Sequence, residues 1–385
     1  MHVTLPTGFQ AGGIRCGLKK RPELLDLGLL LADDALPAWA LFTKNRLNGA
    51  HIPVCRDHLN RSGGLVRAVL VNAGNANCAT GPEGIEDARG LCAALAARIG
   101  CPTEQVLMIS TGVIGARLDA ERVERALDPL LEQSGPDGGE AFARAIMTTD
   151  TCPKAHSSET STGVVTGFAK GSGMIHPDMA TMLAFLLGDR VPAGGLDAVR
   201  RIADRSFHRT TVDGDTSPND TLLLWGRERA DSEDADVERT YTEVAQTLAR
   251  DIARDGEGAT RLITIRVRDA ADEQEATRIG RAVAVSPLVK TAIAGRDPNW
   301  GRIVSAASST GVPVEPEKTR LAIGDVDVYA DGRPLVANEA AAHEHLVSSE
   351  EVFITLHLAR GRAEADVWTC DLTADYVDIN ANYRS

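Results

Sequence analysis

The stretch KGSGMIHPDMATMLAF, residues 170 to 185, places glycines, a proline and an Ala-Thr bond directly before an apolar run. This run is typical of a buried β-strand. Thr181 lies at the start of the run, and its hydroxyl needs a hydrogen-bond partner. Two interpretations are open from these residues alone. Thr181 is either a strand residue whose hydroxyl bonds nearby backbone, or a new N-terminus whose free α-amine acts as the base for its own hydroxyl nucleophile.

The size and charge of the chain limit the kinds of protein it can be. With 385 residues it exceeds the size at which one hydrophobic core stops growing, so two lobes are expected. Its residues are 43% hydrophobic, which is enough for a large core. The net charge of -13, without any basic run, argues against nucleic acid as a partner. Small polar or zwitterionic substrates remain open.

Location is predicted from what the sequence lacks. No apolar stretch approaches the roughly 20 residues of a membrane span, and MHVTLPTGFQ lacks a basic region followed by an apolar signal core. The seven cysteines include no C-x-x-C pair, which suits reduced thiols better than disulfides or a zinc site. We therefore expect a cytoplasmic protein without a membrane partner.

Apolar periodicity predicts alternating strands and helices in the first half of the chain. Residues 68–74, 106–110 and 163–169 are predicted as strands. Helices are predicted over 85–99, ended by a glycine, and over 119–132.

The second half continues this mixture and becomes rich in strands. TMLAFLLGD and TLLLWG are predicted as strands, residues 195–207 as a helix, and RERADSEDADVE as a solvated loop. Tyr241, Val244, Leu248 and Ile252 form a helical stripe that runs into DGEGAT. RLAIGDVDVYADG predicts a hairpin that turns at Asp331-Gly332, and EVFITLHL alternates as a strand. The sequence predicts a mixed α and β protein.

Several familiar motifs fail on inspection. GGIRCGLKK resembles a phosphate loop, but Leu18 stands where the motif needs Lys. DGDTSPND has the spacing of a calcium loop, but Leu224 replaces the final Glu, which favours a turn rich in side-chain-to-backbone bonds. His343 and His345 lack a third ligand and are interpreted as residues of a surface helix.

Small-residue segments carrying Thr, Gly, Asn, Lys and Glu remain, and each is interpreted as a loop. They are STGVIG, MTTDT, KGSGM, DGEGAT, DPNWGR and the tail DINANYRS. STGVIG follows a strand, where backbone N–H groups are often available to a ligand.

Together these segments carry a resemblance that runs nearly end to end. The chain resembles the ornithine acetyltransferase (ArgJ-like) family through VNAGNANCATG, STGVIG, AIMTTDT, KGSGM, MATML, DGEGATRLI, SPLVKTA, DPNWGR and NANYRS. The resemblance implies a two-lobed α+β fold, a mixed α/β sandwich of the DmpA/ArgJ-like type, with an N-terminal Thr nucleophile at a strand start. It also implies self-cleavage between Ala180 and Thr181.

Cleavage at that bond divides the chain. Residues 1–180 become an alpha chain that holds the N-terminal lobe and the oxyanion loop. Residues 181–385 become a beta chain with the nucleophile strand and a strand-rich lobe from about residue 260. The resemblance implies a heterotetramer of two alpha and two beta chains.

The implied activity is transfer of acetyl from N2-acetyl-L-ornithine to L-glutamate through an acetyl-Thr181 intermediate, in a ping-pong mechanism. The resemblance assigns the oxyanion donors to Thr111 and Gly112. It assigns substrate contacts to Thr148, Lys170, Thr181, Glu257, Asn380 and Ser385.

The resemblance implies no cofactor and no metal, and the substrates are small molecules. Whether acetyl-coenzyme A also serves as a donor stays open. Two alternatives remain: an N-terminal-nucleophile aminopeptidase or amidase that releases the acyl group to water, and a non-enzymatic binding protein whose Thr181 caps a strand.

Overall fold

The computed structural model describes residues 3–160, 163–176, 182–229 and 235–382. These residues form two structural units, each discontinuous in sequence. The first contains the described parts of Met1–Gly171, Pro177–His208 and Thr216–Leu248, and the second those of Ser172–His176, Arg209–Asp215 and Ala249–Ser385. These units are defined by packing. The division into residues 1–180 and 181–385 is defined instead by cleavage of one peptide bond, and it stays a prediction.

The first unit is built on a sheet with eight strands among the described residues. They are β1 (Phe9–Ile14), β2 (Leu27–Phe42), β3 (Leu65–Asn75), β4 (Val106–Val113), β5 (Lys154–Thr160), β6 (Gly163–Lys170), β7 (Leu183–Val191) and β8 (Thr221–Arg229). Their order is β4, β3, β2, β8, β7, β6 and β5, and β1 pairs with β2. The pairs β3/β4 and β7/β8 are parallel and the others are antiparallel.

Helices cover this sheet because their apolar faces need burial. They are α1 (His51–Arg61), α2 (Gly81–Ile99), α3 (Ala120–Arg125), α4 (Leu127–Glu132), α5 (Gly139–Ala145) and α6 (Leu196–Asp204). Helix α2 buries Leu91 and Leu95 in a core cluster with Leu70 and Met108. The predicted strand at 68–74 and the predicted helix at 85–99 are confirmed, and Gly100 ends α2 with a left-handed φ of 69°.

The second unit has its own sheet, which begins after α7 (Ala235–Arg254). Its strands are β9 (Leu262–Ala270), β10 (Arg320–Ile323), β11 (Val326–Ala330), β12 (Arg333–Pro334), β13 (Glu351–His357) and β14 (Ala363–Cys370), in the order β12, β11, β10, β13, β9 and β14. Its helices are α8 (Glu273–Ala284), α9 (Pro287–Ala294), α10 (Trp300–Ser308), α11 (Glu339–Ser348) and α12 (Ala374–Ala381). The predicted hairpin at Asp331-Gly332 is confirmed as the turn between β11 and β12.

Two predictions, one about a helix and one about a loop, need correction. The helix predicted over 119–132 is two short helices, α3 and α4, separated at Ala126. Pro129 has no N–H group and cannot donate the bond that a continuous helix needs from it. The predicted loop RERADSEDADVE is shorter, because β8 extends to Arg229 and α7 begins at Ala235.

Two segments interpreted as loops are partly helical. DPNWGR runs into α10, since the Asn299 side chain accepts a hydrogen bond from the Arg302 backbone N–H and caps the helix. The tail DINANYRS begins inside α12, which buries none of its side chains and therefore has no apolar periodicity to read.

No helix in the described chain is both long enough and apolar enough to cross a membrane. Four cysteines, Cys55, Cys78, Cys92 and Cys370, are buried thiols, whereas Cys152 lies exposed.

Candidate active site

The end of strand β4 places Thr111 and Gly112 against the neighbouring strand β3. Gly112 has a φ of 130° and pairs with Gly74, and a Cβ added at Gly112 would lie 2.3 Å from the Gly74 carbonyl carbon. Only glycine fits this approach. STGVIG, predicted as a turn, is strand up to Val113 and turns only afterwards. The two predicted oxyanion residues therefore lie at the end of a strand rather than in a turn.

The Thr111 hydroxyl is held by Lys170. The Lys170 ammonium donates a hydrogen bond of 3.4 Å to Thr111 Oγ1, and both residues are almost fully buried. A hydroxyl carries one proton and two lone pairs. Because the ammonium occupies a lone pair, the Thr111 proton can be donated to another acceptor, as an oxyanion donor requires.

Beside this pair lies a fully buried carboxylate, Asp150, which sequence reasoning did not single out. Asp150 accepts hydrogen bonds from Lys154 Nζ at 2.7 Å, from the Thr148 backbone N–H at 2.9 Å and from the Gly171 N–H at 2.6 Å. Burial acts to raise the pKa of the Asp150 carboxyl. The ammonium groups of Lys154 and Lys170 outweigh it and hold that pKa well below its ordinary value. Asp150 thus ties Thr148 to the residue after Lys170.

The rejected phosphate-loop motif folds around a carboxylate of the chain itself. Asp26 accepts hydrogen bonds from the backbone N–H groups of residues 16–19, at 2.5 to 3.0 Å. The nest is therefore already filled, which agrees with the rejection. Burial lowers the pKa of Lys19 to about 8, although the charges of Asp26 and Asp150 act to raise it. Lys19 is a further cation of this region that the sequence did not reveal.

DGDTSPND brings two more buried side chains to the first unit. The Asn219 side-chain amide donates to the carbonyl oxygens of Ala76 and Ser110, at 2.5 and 2.7 Å. Burial raises the pKa of Asp220 well above its ordinary value, although Ser217 and the charge of Lys170 act to lower it. Asp220 Oδ2 has no hydrogen-bond partner in the described part of the chain. The segment is a turn rich in side-chain bonds, as predicted, and it also borders the candidate site.

The second unit brings Glu257 and Asn380 together. The Asn380 side-chain amide donates to Glu257 Oε2 at 2.8 Å, and the Glu257 backbone N–H donates to the Ser172 carbonyl at 2.8 Å. A Cβ added at Gly173 would lie 2.3 Å from the Glu257 carboxyl carbon, so a larger residue there would displace this carboxylate. Glu257 is 8% exposed and forms no ion pair with the described residues, which is unusual for a carboxylate.

Asp213 links the backbone at Met174 and Ile175 to Tyr376 of α12 in the second unit. Asp213 accepts hydrogen bonds from the backbone N–H groups of Met174 and Ile175, at 2.6 and 2.9 Å, and from the Tyr376 hydroxyl at 3.3 Å. Burial raises the pKa of Asp213, although these N–H groups act to lower it. The pair connects Met174, the end of KGSGM, and Ile175 to the first turn of α12.

The predicted site residues are thus placed as follows. Thr111, Gly112, Thr148 and Lys170 lie in the first unit, where Lys170 contacts Thr111 and Asp150 links Thr148 to Gly171. In the second unit, Glu257 and Asn380 are in contact.

The remaining three predicted site residues, Ala180, Thr181 and Ser385, lie outside the described residues. Within the described chain, no group of three His, Cys, Asp or Glu side chains is arranged to hold a metal ion.

Comparison with known proteins supplies the family. The family model described as "ArgJ family" matches residues 10–385. This chain belongs to the ArgJ family. An arginine biosynthesis bifunctional protein ArgJ from Thermus thermophilus is 46% identical over 395 residues, which cover 100% of both chains. The protein of the same name from Parasynechococcus marenigrum is 45% identical and covers 100% of this chain and 95% of its own.

Among solved structures, an ornithine acetyltransferase from Mycobacterium tuberculosis in complex with ornithine is 34% identical to this chain. The match covers 46% of this chain and 96% of that one, with a TM-score of 0.44.

Proposed function

We propose that this protein is a glutamate N-acetyltransferase of arginine biosynthesis that takes its acetyl group from N2-acetyl-L-ornithine. Membership of the ArgJ family supports the pathway, and both curated relatives are named arginine biosynthesis bifunctional proteins. The observation that carries the chemistry is the buried Thr111 hydroxyl, held by Lys170 beside Gly112 so that its proton can be donated.

Self-cleavage prepares the nucleophile. The Thr181 hydroxyl attacks the Ala180 carbonyl carbon, the peptide C–N bond breaks, and the acyl group moves from nitrogen to oxygen. Water then hydrolyses the ester, which frees the Ala180 carboxylate and the Thr181 α-amine. An α-amine has a reference pKa of about 7.7 to 8.0 and is partly unprotonated at neutral pH, so Thr181 then carries both nucleophile and base.

Turnover is a double displacement through an ester. Thr181 Oγ attacks the acetyl carbonyl while its proton passes to the α-amine, and the tetrahedral oxygen accepts hydrogen bonds from the Thr111 hydroxyl and the Gly112 N–H. The amide C–N bond breaks, ornithine leaves with the proton, and acetyl-Thr181 remains. The neutral amine of glutamate then attacks this ester, which returns the proton to Thr181 Oγ and releases N-acetylglutamate. One oxyanion donor is typically worth about 2.7 to 4 kcal/mol.

Substrate contacts follow from the charges of acetylornithine and glutamate. Both substrates carry an α-carboxylate, for which the buried Lys170 ammonium is the partner, and Glu257 suits a substrate ammonium. Thr148, Asn380 and Ser385 complete the contacts. Nucleophile, base and oxyanion donors are all protein groups, so the proposed transfer needs no cofactor. Acetyl-coenzyme A as a second donor is tested by supplying it in place of N2-acetylornithine and measuring N-acetylglutamate.

The assembly and location belong to the same proposal. The two chains remain together as a heterotetramer of two 1–180 and two 181–385 chains. The protein works in the cytoplasm, where its buried thiols stay reduced.

The test combines intact mass with an acetyl-transfer assay. The expected masses are those of residues 1–180 and 181–385. The expected activity is formation of N-acetylglutamate from N2-acetylornithine and glutamate, with the acetyl group trapped on the 181–385 chain when glutamate is withheld. Release of acetate without transfer would identify a hydrolase. An uncut, inactive chain would favour a binding protein and refute the proposal.

A further inference from the structure

Asn219 connects the ends of two neighbouring strands near the oxyanion residues. Asn219 is 3% exposed, and its Nδ2 donates one hydrogen to the Ala76 carbonyl, just past β3, and one to the Ser110 carbonyl of β4. Both amide hydrogens are therefore used. Rotating the amide would set Oδ1 against two carbonyl oxygens, so these contacts fix its orientation.

The strand pairing is irregular beside Thr111. The parallel pairing of β3 with β4 is irregular here, because Asn75 lies opposite both Thr111 and Val113. The backbones also come very close at Gly74 and Gly112, where neither residue has a side chain to pack. The Ala76 N–H still donates to the Val113 carbonyl at 3.0 Å beyond this point, and the Asn219 amide adds a contact to the peptide group that leads into Thr111.

The loop that carries Asn219 is itself anchored to the end of β2 and the segment after it. The Thr43 backbone N–H donates to the Asp220 carbonyl at 3.0 Å, and its hydroxyl donates to the Ser217 carbonyl at 2.8 Å. The Gly49 N–H donates to the Pro218 carbonyl at 3.0 Å. A Cβ added at Gly49 would lie 2.8 Å from Asn219 Oδ1, so the amide packs directly on the Gly49 backbone.

Asn219 Oδ1 has no hydrogen-bond partner in the described chain. An unsatisfied buried oxygen is costly to the folded state. A residue kept only for packing would be better replaced by an apolar one. The two hydrogen bonds to Ala76 and Ser110 offset the loss of stability that the unsatisfied Oδ1 causes.

We propose that Asn219 is a positioning residue for the oxyanion donors. By holding the Ser110 carbonyl, it fixes the peptide group that leads into Thr111, and so the direction of the Thr111 hydroxyl and the Gly112 N–H. This inference rests on the proposed acetyl transfer, and it assigns to Asn219 no contact with substrate.

The test is a set of kinetic measurements on the full chain. Asn219→Ser leaves one shorter donor that can serve at most one of the two carbonyls, and Asn219→Asp keeps the shape but loses one or both donors. We expect kcat for N2-acetylornithine and glutamate to fall at least tenfold in both, with KM within about threefold, because the ground-state contacts are untouched. Asn45→Ser is the matched control, since Asn45 donates to the Thr216 carbonyl of the same loop at 3.2 Å and its hydrogen bonds to described residues do not include β4.

A double-variant cycle separates positioning from stability. Combined with Thr111→Ala, Asn219→Ser should cost less than the product of the two single losses, because part of its effect acts through Thr111. Independent losses, an Asn219→Ser kcat within twofold of the parent, or failure of that variant to fold would overturn the inference and leave the proposed function standing. A parent protein without acetyl transfer would refute both.

Discussion

Replacing Asp150 by Asn should destabilise the first unit far more than loss of an exposed ion pair. The side chains of Asp150 and Lys154 are each 1% exposed and 2.7 Å apart. Removing one member of such a pair costs roughly 3 to 5 kcal/mol, because the other charge is left buried without its counter-charge. Both Asp150 oxygens also accept backbone N–H groups. The new amide must turn its NH2 towards one of those donors, which places the expected loss at the upper end of that range.

The assay is urea unfolding in a Thr181→Ala background, so that one uncleaved chain unfolds. Asp197→Asn is the control, because Asp197 and Arg200 are also 2.7 Å apart but mostly exposed, and its loss should stay below about 1 kcal/mol. Adding Lys154→Met to Asp150→Asn should recover part of the stability, since a buried apolar residue replaces an isolated charge. Equal losses at Asp150 and Asp197 would refute the reasoning.

The stability difference between the parent and Asp150→Asn should also depend on pH, in a direction set by the pKa of Asp150. The pKa of Asp150 lies below its ordinary value in the folded state. The unfolded chain therefore binds the proton first as the pH falls. The difference between parent and Asp150→Asn should be constant from pH 7 to about 5 and shrink only below about pH 4, near the ordinary pKa of Asp.

Three further predictions concern the reaction and its surroundings. Thr111→Ala should lower kcat about a hundredfold, the scale for one oxyanion donor, with substrate KM nearly unchanged; steady-state kinetics within a fewfold of the parent would make Thr111 a structural residue only. Thr181→Ala should abolish both cleavage and transfer while Thr181→Ser keeps some of each, as read by intact mass and N-acetylglutamate formation; a fully active Ala variant would return Thr181 to the strand-residue interpretation. Because burial lowers the pKa of Lys19 to about 8, below the roughly 10.4 of an unfolded Lys, the unfolded state binds more protons between those values. The stability of the parent should therefore rise relative to Lys19→Met over that range, and a flat difference in urea unfolding would contradict it.

Local periodicity explains the parts of the fold that the sequence predicts well. Helix α2 is predictable because its buried Leu91 and Leu95 recur at helical spacing and Gly100 ends it. Helix α12 is not, because a helix that buries no side chain leaves no apolar pattern. The start of α10 is predictable from the sequence, because Asn is a common N-cap residue. The Asn299 side chain accepts a hydrogen bond from the backbone N–H three positions later.

The family resemblance predicts which residues belong to the site, but not which of them are in contact. Lys170 and Thr111 were singled out by resemblance, but their contact joins residues 59 positions apart. Asn219 reaches Ala76 and Ser110 across 143 and 109 positions. No spacing rule connects such residues, because only the order of strands in the sheet brings them together.

The unequal burial of the cysteines makes the chain suited to site-directed labelling without engineering. Burial raises the pKa of Cys16 and Cys55 to about 12 and that of Cys92 well above its ordinary value. The thiolate is the form that attacks a thiol reagent, so these groups react slowly at neutral pH. Cys152 is exposed and lies two residues after Asp150. A maleimide fluorophore or a nitroxide should therefore attach first at Cys152, where its signal follows the segment that carries Thr148 while substrates are added and removed.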